Sequence, residues 1–497
     1  MPPCSGEHNN NLRMKNNIKF YSVQVKTDSE GNVKSEIRIR YKEFIDLLYS
    51  FGFRRYDIEK ASIYIRIENN VVTEYSITQI QDYFLNYIKS LPEKLEDNVR
   101  RDSLLEKFYS NPSNYFCERK LNLLMCNETL QFNADTRDAV FLYFQNGYVK
   151  VTKEGYDLYD YASLNKCIWA NQILSRNFEK TEFIDSQKAE FSKFCFNVAN
   201  KNVERYHSLM SIIGYNLHTY FDTKLKASIF TDSKICETPS GRTGKTLFCK
   251  ALGKIKNYCE INGKDFDPTY RHKYQEADID TQIVCLNDVK SPFDFELLYN
   301  DITEYLPVQR KNQQPFRIKA KLLITTNKTI QTAGDSSKDR CIEFEFSEHY
   351  SSSYSPENEF GHRFFTEWTK SEWNLFDNFL MSCISFYFQG GLIEPKPINL
   401  NRRKLIEQTS PELVEFFDRC LENRYLEFGK EYPKGDVHKY FKEMYEVTNE
   451  RHLYSDNRIF YKHLKAYCEL SEQNLDYRER VSNSVRWFSI TYRGMEK

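Results

Sequence analysis

The sequence predicts a multidomain α/β protein with a parallel sheet in its central region. From about residue 222, short apolar runs at 227–231, 282–286 and 321–326 alternate with helical patterns, as the buried strands of a parallel sheet do. At about 150 residues per domain, the 497 residues correspond to roughly three domains, which is enough chain to bury several cores. We therefore expect a central α/β domain with further domains on either side.

The N-terminal region is predicted to be a disordered leader followed by a small α+β module. Residues 1–18 are polar and carry no apolar periodicity. Apolar and polar residues alternate at 34–41 and 61–67, which predicts half-buried strands, and 42–51 between them has helical spacing. These patterns favour a compact module over 19–112.

A β-hairpin is predicted in the region that follows, 113–184. Asn146-Gly147 lies between apolar stretches at 139–144 and 148–152, and this dipeptide is the strongest short-range signal of a hairpin turn. The region is therefore expected to be a hairpin-containing linker.

The C-terminal region, 396–497, is predicted to be mainly helical and to end in a strand. The helical and strand patterns lie at 411–421, 437–445, 458–468 and 486–492. Residues 457–493 contain seven basic and four acidic side chains, a modest positive excess. A winged-helix-like DNA-binding domain and a plain helical or protein-docking domain are both compatible with this pattern.

The charge balance excludes a polyelectrolyte of the histone type. Lys and Arg together number 70, and Asp and Glu also number 70, so the formal net charge is zero. Charged residues at 28% and hydrophobic residues at 40% are typical of an ordinary globular protein. A local basic groove is compatible with this balance, because net charge does not describe patches.

Neither a zinc site nor a membrane segment is indicated. The 13 cysteines contain no CxxC pair and the nine histidines form no HxxxH pattern, which favours reduced thiols. The N-terminus lacks the apolar core of a secretory signal, and no apolar run approaches the roughly 20 residues of a membrane span. We expect a soluble cytoplasmic protein without a membrane partner.

The most informative segment is 236–252, where a loop containing Gly244-Lys245-Thr246 lies between a predicted strand and a helical pattern. A phosphate-binding loop requires this context, because backbone N–H groups at a helix N-terminus favour bound anions. Lys245 would reach the β- and γ-phosphates of ATP, and the Thr246 hydroxyl would bind Mg²⁺. The segment departs from the full pattern at Pro239, where a glycine is usual. The predicted nucleotide-binding residues are Ser240, Gly241, Arg242, Thr243, Gly244, Lys245, Thr246 and Leu247.

Three polar positions downstream fit the same site. An apolar strand ends in Asn287-Asp288, where a metal-coordinating and water-activating acid would lie. The next apolar strand ends at Asn327, whose amide is suited to holding the attacking water or the γ-phosphate. Arg340 follows thirteen residues later, where an arginine suits a finger that stabilises charge in a neighbouring subunit's transition state. Each element is common by itself, whereas the four in this order indicate an ATPase.

The order GRTGKT, IVCLND, LLITTN and SKDR resembles superfamily 3 helicases, and most closely the poxvirus-type and phage-type primase–helicase proteins of phages and mobile elements. Gly214-Tyr215 and the EFEFSEHY and EFGHRFF segments are similar to that group as well, so the resemblance covers 185–395. It implies a AAA+ ATPase that uses ATP and Mg²⁺. It further implies assembly as a ring, usually a homo-hexamer, that moves 3′→5′ along single-stranded DNA.

The resemblance also implies a role for each matching residue. These roles are nucleotide binding at Lys245 and Thr246, metal binding at Thr246 and Asp288, catalysis by the acid Asp288, sensing at Asn327 and an arginine finger at Arg340. Two acids are common in this family where the present chain has Asn287-Asp288. The division between metal ligand and base therefore stays open.

A second hairpin is predicted between the acid strand and the sensor strand. Residues 305–318 form two strand-like arms around a polar tip. In the resembled family, a hairpin at this place projects into the ring channel and grips DNA phosphates. Arg310, Lys311 and Lys319 are the predicted DNA-binding residues, and Phe316 is a candidate for stacking on a base. A solvated surface hairpin is the alternative.

Two functions are compatible with these features. The favoured one is an ATP-dependent DNA helicase that replicates a phage, plasmid or mobile element, with a primase or replication initiator as a further partner. The alternative is a P-loop ATPase that serves as a DNA-binding initiator or loader without processive unwinding. Primase activity is disfavoured, because the pairs Asp135/Asp138 and Asp157/Asp160 are not the strand-borne Asp-x-Asp expected of a two-metal site.

Overall fold

The computed structural model describes residues 18–27, 33–58, 61–126, 130–221, 225–235, 241–311, 313–330, 335–449, 451–471 and 475–493. The predicted leader lies outside the described residues except for its last position, Ile18. The chain is a multidomain α/β protein that contains a parallel sheet, as the sequence predicts. Within the described ranges, no helix is both long and apolar enough to span a bilayer.

The N-terminal module combines antiparallel strands with helices around an aromatic core. Its elements are β1 (Tyr21–Thr27), β2 (Val33–Ile39), α1 (Tyr41–Ser50), β3 (Phe53–Ile58), β4 (Ala61–Glu68), β5 (Val71–Tyr75), α2 (Ile77–Ser90), α3 (Arg101–Ser110) and α4 (Glu118–Leu121). The strands predicted at 34–41 and 61–67 and the helix at 42–51 are confirmed. Phe44 and Phe84 are fully buried in the core, where their rings meet edge to face.

The region after the module packs against both of its neighbours. It contains β6 (Val140–Phe144), β7 (Gly147–Thr152), β8 (Gly155–Tyr159), β9 (Ile168–Trp169) and β10 (Ile173–Leu174). The predicted hairpin turn at Asn146-Gly147 is confirmed, because Phe144 pairs with Gly147 across it. Strand β9 pairs with β5 of the module, and the buried side of β6 and β7 shares a core with the central domain.

A parallel sheet of five strands forms the central domain. The strands are β11 (Ala227–Asp232), β12 (Tyr258–Asn262), β13 (Ile283–Val289), β16 (Lys321–Thr326) and β17 (Cys341–Phe346). Their spatial order is β12-β13-β16-β11-β17, and every neighbouring pair is parallel. The strands predicted at 227–231, 282–286 and 321–326 are thus confirmed. Because the strands are parallel, the residues that follow them meet at one edge of the sheet.

Helices cover one face of this sheet, and a small hairpin with short helices covers the other. The central domain's further elements are α5 (Phe183–Ser186), α6 (Glu190–Val198), α7 (Val203–Leu217), α8 (Lys245–Leu252), α9 (Tyr299–Thr303), β14 (Leu306–Val308), β15 (Phe316–Ile318), α10 (Asp335–Arg340), α11 (Pro356–Phe360) and α12 (Lys370–Gly390). Alternate strand residues supply the two faces: Phe230 packs with the long helices, and Ile229 packs with the hairpin.

The C-terminal region has a core of its own. Its elements are α13 (Leu400–Gln408), α14 (Pro411–Glu422), β18 (Glu431–Pro433), α15 (Lys434–Met444), α16 (Asn457–Leu470), β19 (Leu475–Ser482) and β20 (Val485–Tyr492). The three strands form an antiparallel sheet in the order β18-β20-β19. The helices predicted at 411–421, 437–445 and 458–468 and the strand at 486–492 are confirmed.

Candidate functional site

A tight loop leads into helix α8 at the carboxyl edge of the central sheet. Three of its residues lie in the left-handed region of backbone space: Gly241 at φ 59°, Arg242 at 63° and Gly244 at 99°. A Cβ atom on Gly244 would lie 2.8 Å from the ring of Phe194, so this position requires glycine. Helix α8 begins at the next residue, Lys245, which brings the positive end of the helix dipole to the loop.

The loop and the first turn of α8 hold the predicted phosphate-binding residues. Positions 241–247 lie there together, whereas Ser240 and the departure at Pro239 lie outside the described residues. The side chains of Thr243 and Lys245 are buried. These two side chains are therefore shielded from water, which strengthens their electrostatic interactions, whereas Arg242 is exposed.

Lys245 lies at the centre of the site. Its ammonium forms an ion pair with Asp232 at the end of β11, and it donates to Oδ1 of Asn327 at 3.0 Å. The Thr243 hydroxyl also donates to Asp232, at 2.5 Å. Burial lowers the pKa of Lys245, and the carboxylate of Asp232 acts against that shift. The ammonium is thus held by a carboxylate that an incoming phosphate can replace.

Thr246 connects the loop to strand β13. Its hydroxyl donates to Oδ1 of Asn287 at 3.0 Å, and the hydroxyl of Thr325 on β16 donates to the same oxygen at 2.7 Å. The Nδ2 group of Asn287 donates in the other direction, to Oε1 of Glu260 at 3.0 Å. The hydroxyl predicted to bind metal therefore faces the carbonyl oxygen of an amide.

Asp288 and Asn327 meet across neighbouring strands. Asn327 donates from Nδ2 to Oδ1 of Asp288 at 2.9 Å, while its own Oδ1 accepts from Lys245. The second carboxylate oxygen of Asp288 forms an ion pair with Lys264 at 2.8 Å. Asp288 has a φ of 62°, at the point where the register of β13 against β16 shifts, and such strained positions cluster at functional sites. Lys245, Asp288 and Asn327 therefore form one hydrogen-bonded chain.

A cavity of about 480 Å³ opens beside the loop. Asp232, Thr243 and Asn327 line it on one side, and Arg403 of α13 lines it from the C-terminal region. Arg403 is buried and donates to Oγ1 of Thr231 and to the carbonyl oxygen of Asn327, each at 3.0 Å. It also donates to the carbonyl oxygen of Asp232. The C-terminal region thus supplies a guanidinium to the wall of the site.

The site fits Mg²⁺ only if a nucleotide brings further oxygens. The part of the chain that the structure describes has no group of three or more His, Cys, Asp or Glu side chains that could hold a metal ion. Mg²⁺ commonly binds through one or two protein oxygens together with substrate phosphates and water. The hydroxyl of Thr246 and the carboxylate of Asp288 are oxygen donors of this kind.

Arg340 lies away from this network. It ends α10 directly before β17, whose first residue, Cys341, pairs with Ala227 at the start of β11. At about 3.3 Å per residue, the length of β11 separates it by about 17 Å from the edge that carries Lys245. Its guanidinium lies over the ring of Tyr299, 4.7 Å from the ring centre. The predicted role of Arg340 is therefore compatible only with a nucleotide held by another subunit.

The tip of the second hairpin contacts other residues of the same chain. Strands β14 and β15 are antiparallel, as predicted, and Arg310 lies at the tip that joins them. Arg310 forms an ion pair with Asp278 and donates to the carbonyl oxygen of Ala277 at 2.8 Å. Arg310 and Glu74 of the N-terminal module line a common cavity of about 650 Å³. A DNA phosphate that binds Arg310 would have to replace Asp278.

The other hairpin residues differ in their accessibility. Lys311 and Lys319 are exposed, and the Lys319 ammonium lies 5.1 Å from the centre of the Tyr305 ring. Phe316 is only 8% exposed and packs into the core beneath the hairpin, with the Arg310 guanidinium 5.7 Å from its ring centre. Stacking of Phe316 on a base would require its ring to be uncovered first, and this role stays a prediction.

Several residues of the site had no role in the sequence-based prediction, among them Asp232 and Lys264, which pair with Lys245 and Asp288. Glu260 lies in the five-residue strand β12, where the alternation of Cys259 and Ile261 with polar residues could have indicated a strand. Arg403 lies in a helix of another domain, and no local pattern relates it to the loop.

No protein-family model matches the chain, and none of the curated proteins matches it. Among solved structures, the chain is similar to apo structures of the C-terminal region of NrS-1. The A form has 12% sequence identity and a TM-score of 0.39, and a further apo structure has 13% and 0.41. In both, the match covers 90% of this chain and 98% of that chain. At this sequence identity and TM-score, the similarity does not indicate a function. We infer the function from the geometry of the site.

Proposed function

We propose that the chain hydrolyses ATP at the site around Lys245 and uses the free energy to move along single-stranded DNA. The observation that carries this proposal is the convergence of Lys245, Thr246, Asp288 and Asn327 at the carboxyl edge of a parallel sheet. Phosphate-loop enzymes use this combination of glycine loop, lysine, hydroxyl and acid for phosphoryl transfer. With the motif resemblance, it supports a AAA+ ATPase of superfamily 3.

Phosphate binding would use charges that are already in place. The phosphates of ATP would compete with Asp232 for the ammonium of Lys245, and the dipole of α8 favours the same anion. In a buried site, an ammonium stabilises charge on a transferring phosphoryl group more strongly than it would in water. The adjacent cavity of about 480 Å³ has room for the nucleoside.

Asp288 is the residue best suited to activating the attacking water. Its carboxylate accepts from Asn327 and forms an ion pair with Lys264, and a carboxylate within hydrogen-bond reach of a water can act as its general base. Asn327 contacts both Asp288 and Lys245. A shift of the Lys245 ammonium when phosphate binds would therefore also move the amide that holds Asp288. Mg²⁺ bound with ATP would neutralise phosphate charge, and Thr246 is the residue placed to hold it.

DNA contact would lie at the hairpin of β14 and β15. Arg310 and Lys311 would bind the phosphate backbone, and the exchange of Asp278 for phosphate at Arg310 is an electrostatic competition. The 3′→5′ direction, the homo-hexameric ring and a place in phage, plasmid or mobile-element replication follow from the resemblance. In such a ring, Arg340 would reach the nucleotide of a neighbouring subunit.

The C-terminal region favours the second candidate, a DNA-binding initiator or loader that does not unwind processively. The order of α14, β18, α15, α16, β19 and β20 is typical of winged-helix domains. Arg458, Lys462 and Lys465 are exposed on α16, where a duplex would be contacted. A loader would depend on this surface, whereas a translocase depends on the hairpin.

A strand-displacement assay on forked DNA separates the two candidates. If the chain is a translocase, the wild-type protein releases the labelled strand when ATP is present, and the Lys245→Ala variant does not. A loader binds the duplex and hydrolyses ATP, and releases no strand. Absence of any ATP hydrolysis by the full-length chain would contradict both candidates.

The double variant Arg310→Ala, Lys311→Ala is expected to lose DNA-stimulated hydrolysis and unwinding while it keeps the basal ATPase rate. Two lost phosphate contacts should reduce the slope of log affinity against log salt by about 1.4, at about 0.7 per contact. Anisotropy titrations of a labelled single strand at several salt concentrations measure this slope.

Two further variants test the same hairpin. The double variant Lys42→Ala, Lys89→Ala is the control. It removes two exposed lysines of the N-terminal module and should leave the slope of log affinity against log salt unchanged. Asp278→Asn releases Arg310 from its ion pair and should raise the affinity for single strands. Unwinding at the wild-type rate by the hairpin double variant would place the DNA contact elsewhere.

Arg403→Ala is expected to weaken nucleotide binding and to slow hydrolysis about 10- to 100-fold. Arg403 holds the backbone of Asp232 and Asn327, the two partners of Lys245, and losing hydrogen bonds from a charged group costs about 1.5–3 kcal/mol. Nucleotide titration and phosphate release measure the two effects. The neighbouring Arg402→Ala is the matched control, because that side chain is half exposed. Equal losses in the two variants would assign the effect to α13 as a whole.

A further inference from the structure

The metal side of the site has an amide where a second carboxylate is common. Asn287 occupies the position beside Thr246, and Asp288 is the only acid of that pair. An amide carbonyl oxygen can accept the hydrogen bond of the Thr246 hydroxyl, as it does at 3.0 Å. However, it carries no net charge, and the amide can also rotate so that its NH₂ group faces the hydroxyl. The hydroxyl of Thr325, whose oxygen accepts from the backbone N–H of Asp288, donates to the same oxygen at 2.7 Å. The NH₂ group still needs a partner that fixes the amide from its other end.

Glu260 is placed to do this. Strand β12 pairs with β13 in parallel, with Glu260 opposite Cys285 and Asn262 opposite Asn287. This register brings Oε1 of Glu260 to 3.0 Å from Nδ2 of Asn287. An ionised carboxylate only accepts hydrogen bonds, so it can bond the NH₂ group and never the carbonyl oxygen of the amide. Oδ1 of Asn287 is thereby directed towards Thr246.

We propose that Glu260 is a positioning residue that acts with Asn287 as a divided substitute for the missing carboxylate. Asn287 supplies the oxygen that faces Thr246, and Glu260 supplies the negative charge and the orientation through one hydrogen bond. The proposal rests on the proposed function, because the pair would act on Mg²⁺ that arrives with the nucleotide. The same division of roles between ligand and supporting carboxylate is general in metal sites.

The charge of Glu260 is available for this role. Its second oxygen accepts from the hydroxyl of Tyr258 at 3.3 Å and is paired with Lys250 at 3.5 Å. The Lys250 side chain is 52% exposed and that of Glu260 is 31% exposed, and ion pairs in such positions are weak because water screens them. The closer and less exposed partner is the amide of Asn287.

The test compares Glu260→Gln with the exchanged pair Glu260→Gln, Asn287→Asp. The readout is the Mg²⁺ concentration that gives half-maximal binding of fluorescent N-methylanthraniloyl-ADP to the full-length chain. A glutamine amide can donate or accept, so Glu260→Gln loses both the charge and the fixed orientation, and its required Mg²⁺ concentration should rise about 10-fold. The exchanged pair restores one carboxylate and one amide in opposite order, and it should return to near the wild-type concentration.

Lys250→Ala is the matched control, because it removes the ion-pair partner of Glu260 without touching Asn287, and it should behave as wild type. Thermal unfolding without nucleotide verifies that each variant is folded. Wild-type Mg²⁺ dependence in Glu260→Gln would overturn the inference, and so would failure of the exchanged pair to rescue a folded chain. If the wild-type chain binds the fluorescent nucleotide without any dependence on Mg²⁺, the inference fails while the proposed function stands. If it binds no nucleotide at all, the proposed function fails as well.

Discussion

Lys245→Ala is expected to reduce ATP turnover at least about 10²–10³-fold, the loss seen when one preorganised donor to a transition-state anion is removed. The ammonium is buried between Asp232 and Asn327, and its removal leaves a buried carboxylate without its cation. That carboxylate would repel phosphate, so nucleotide affinity should fall as well. Phosphate release at saturating ATP, together with nucleotide titration, measures the two losses.

Two variants make this result specific. Asp288→Ala leaves the loop intact, so it should bind nucleotide and fail to hydrolyse it. Lys254→Ala removes an exposed lysine just beyond the end of α8 and should hydrolyse ATP at the wild-type rate. Wild-type turnover in the Lys245 variant would contradict the phosphate-loop assignment.

Arg340→Ala is expected to bind ATP normally and to hydrolyse it about 10³–10⁵-fold more slowly, the range for arginine fingers supplied in trans. Within one chain, Arg340 lies at the amino edge of the sheet and Lys245 at the carboxyl edge, so only a neighbouring subunit can bring the two groups together. Nucleotide titration and turnover, measured on the same preparation, distinguish a binding defect from a catalytic one.

Mixing the Arg340→Ala chain with the Lys245→Ala chain provides the test of action in trans. At one kind of mixed interface, an intact loop meets an intact arginine, so part of the activity should return. If mixed assemblies form and no activity returns, the finger is another residue. Lys338 and Arg363 are then the next candidates, and Arg363 is exposed and paired with Glu357.

Local sequence predicts the polar ends of the central strands. Apolar runs at 282–286 and 321–326 are buried strands, and Asp288 and Asn327 follow those runs closely. Because parallel strands end at the same edge of a sheet, two polar residues far apart in the chain are expected at one place. In the structure, the two side chains lie close enough to form a hydrogen bond of 2.9 Å.

The partners of these residues cannot be predicted in the same way. Each strand of a parallel sheet is buried on both faces, so its apolar run does not indicate which strand lies beside it. The contact between Glu260 and Asn287 depends on β12 being the neighbour of β13, and the ion pair of Arg310 with Asp278 depends on how the hairpin folds back. The burial of Phe316 beneath the hairpin depends on the same long-range packing.

The α/β class, the glycine loop before α8 and the strand ends that carry Asp288 and Asn327 all follow from local patterns. Apolar periodicity and backbone preferences act over a few neighbouring residues, and these features need nothing more. In contrast, long-range packing brings Arg403 into the site from another domain and places Arg340 at the opposite edge of the sheet. Such contacts arise when segments that are distant in the chain pack together, and no local pattern records which segments will meet.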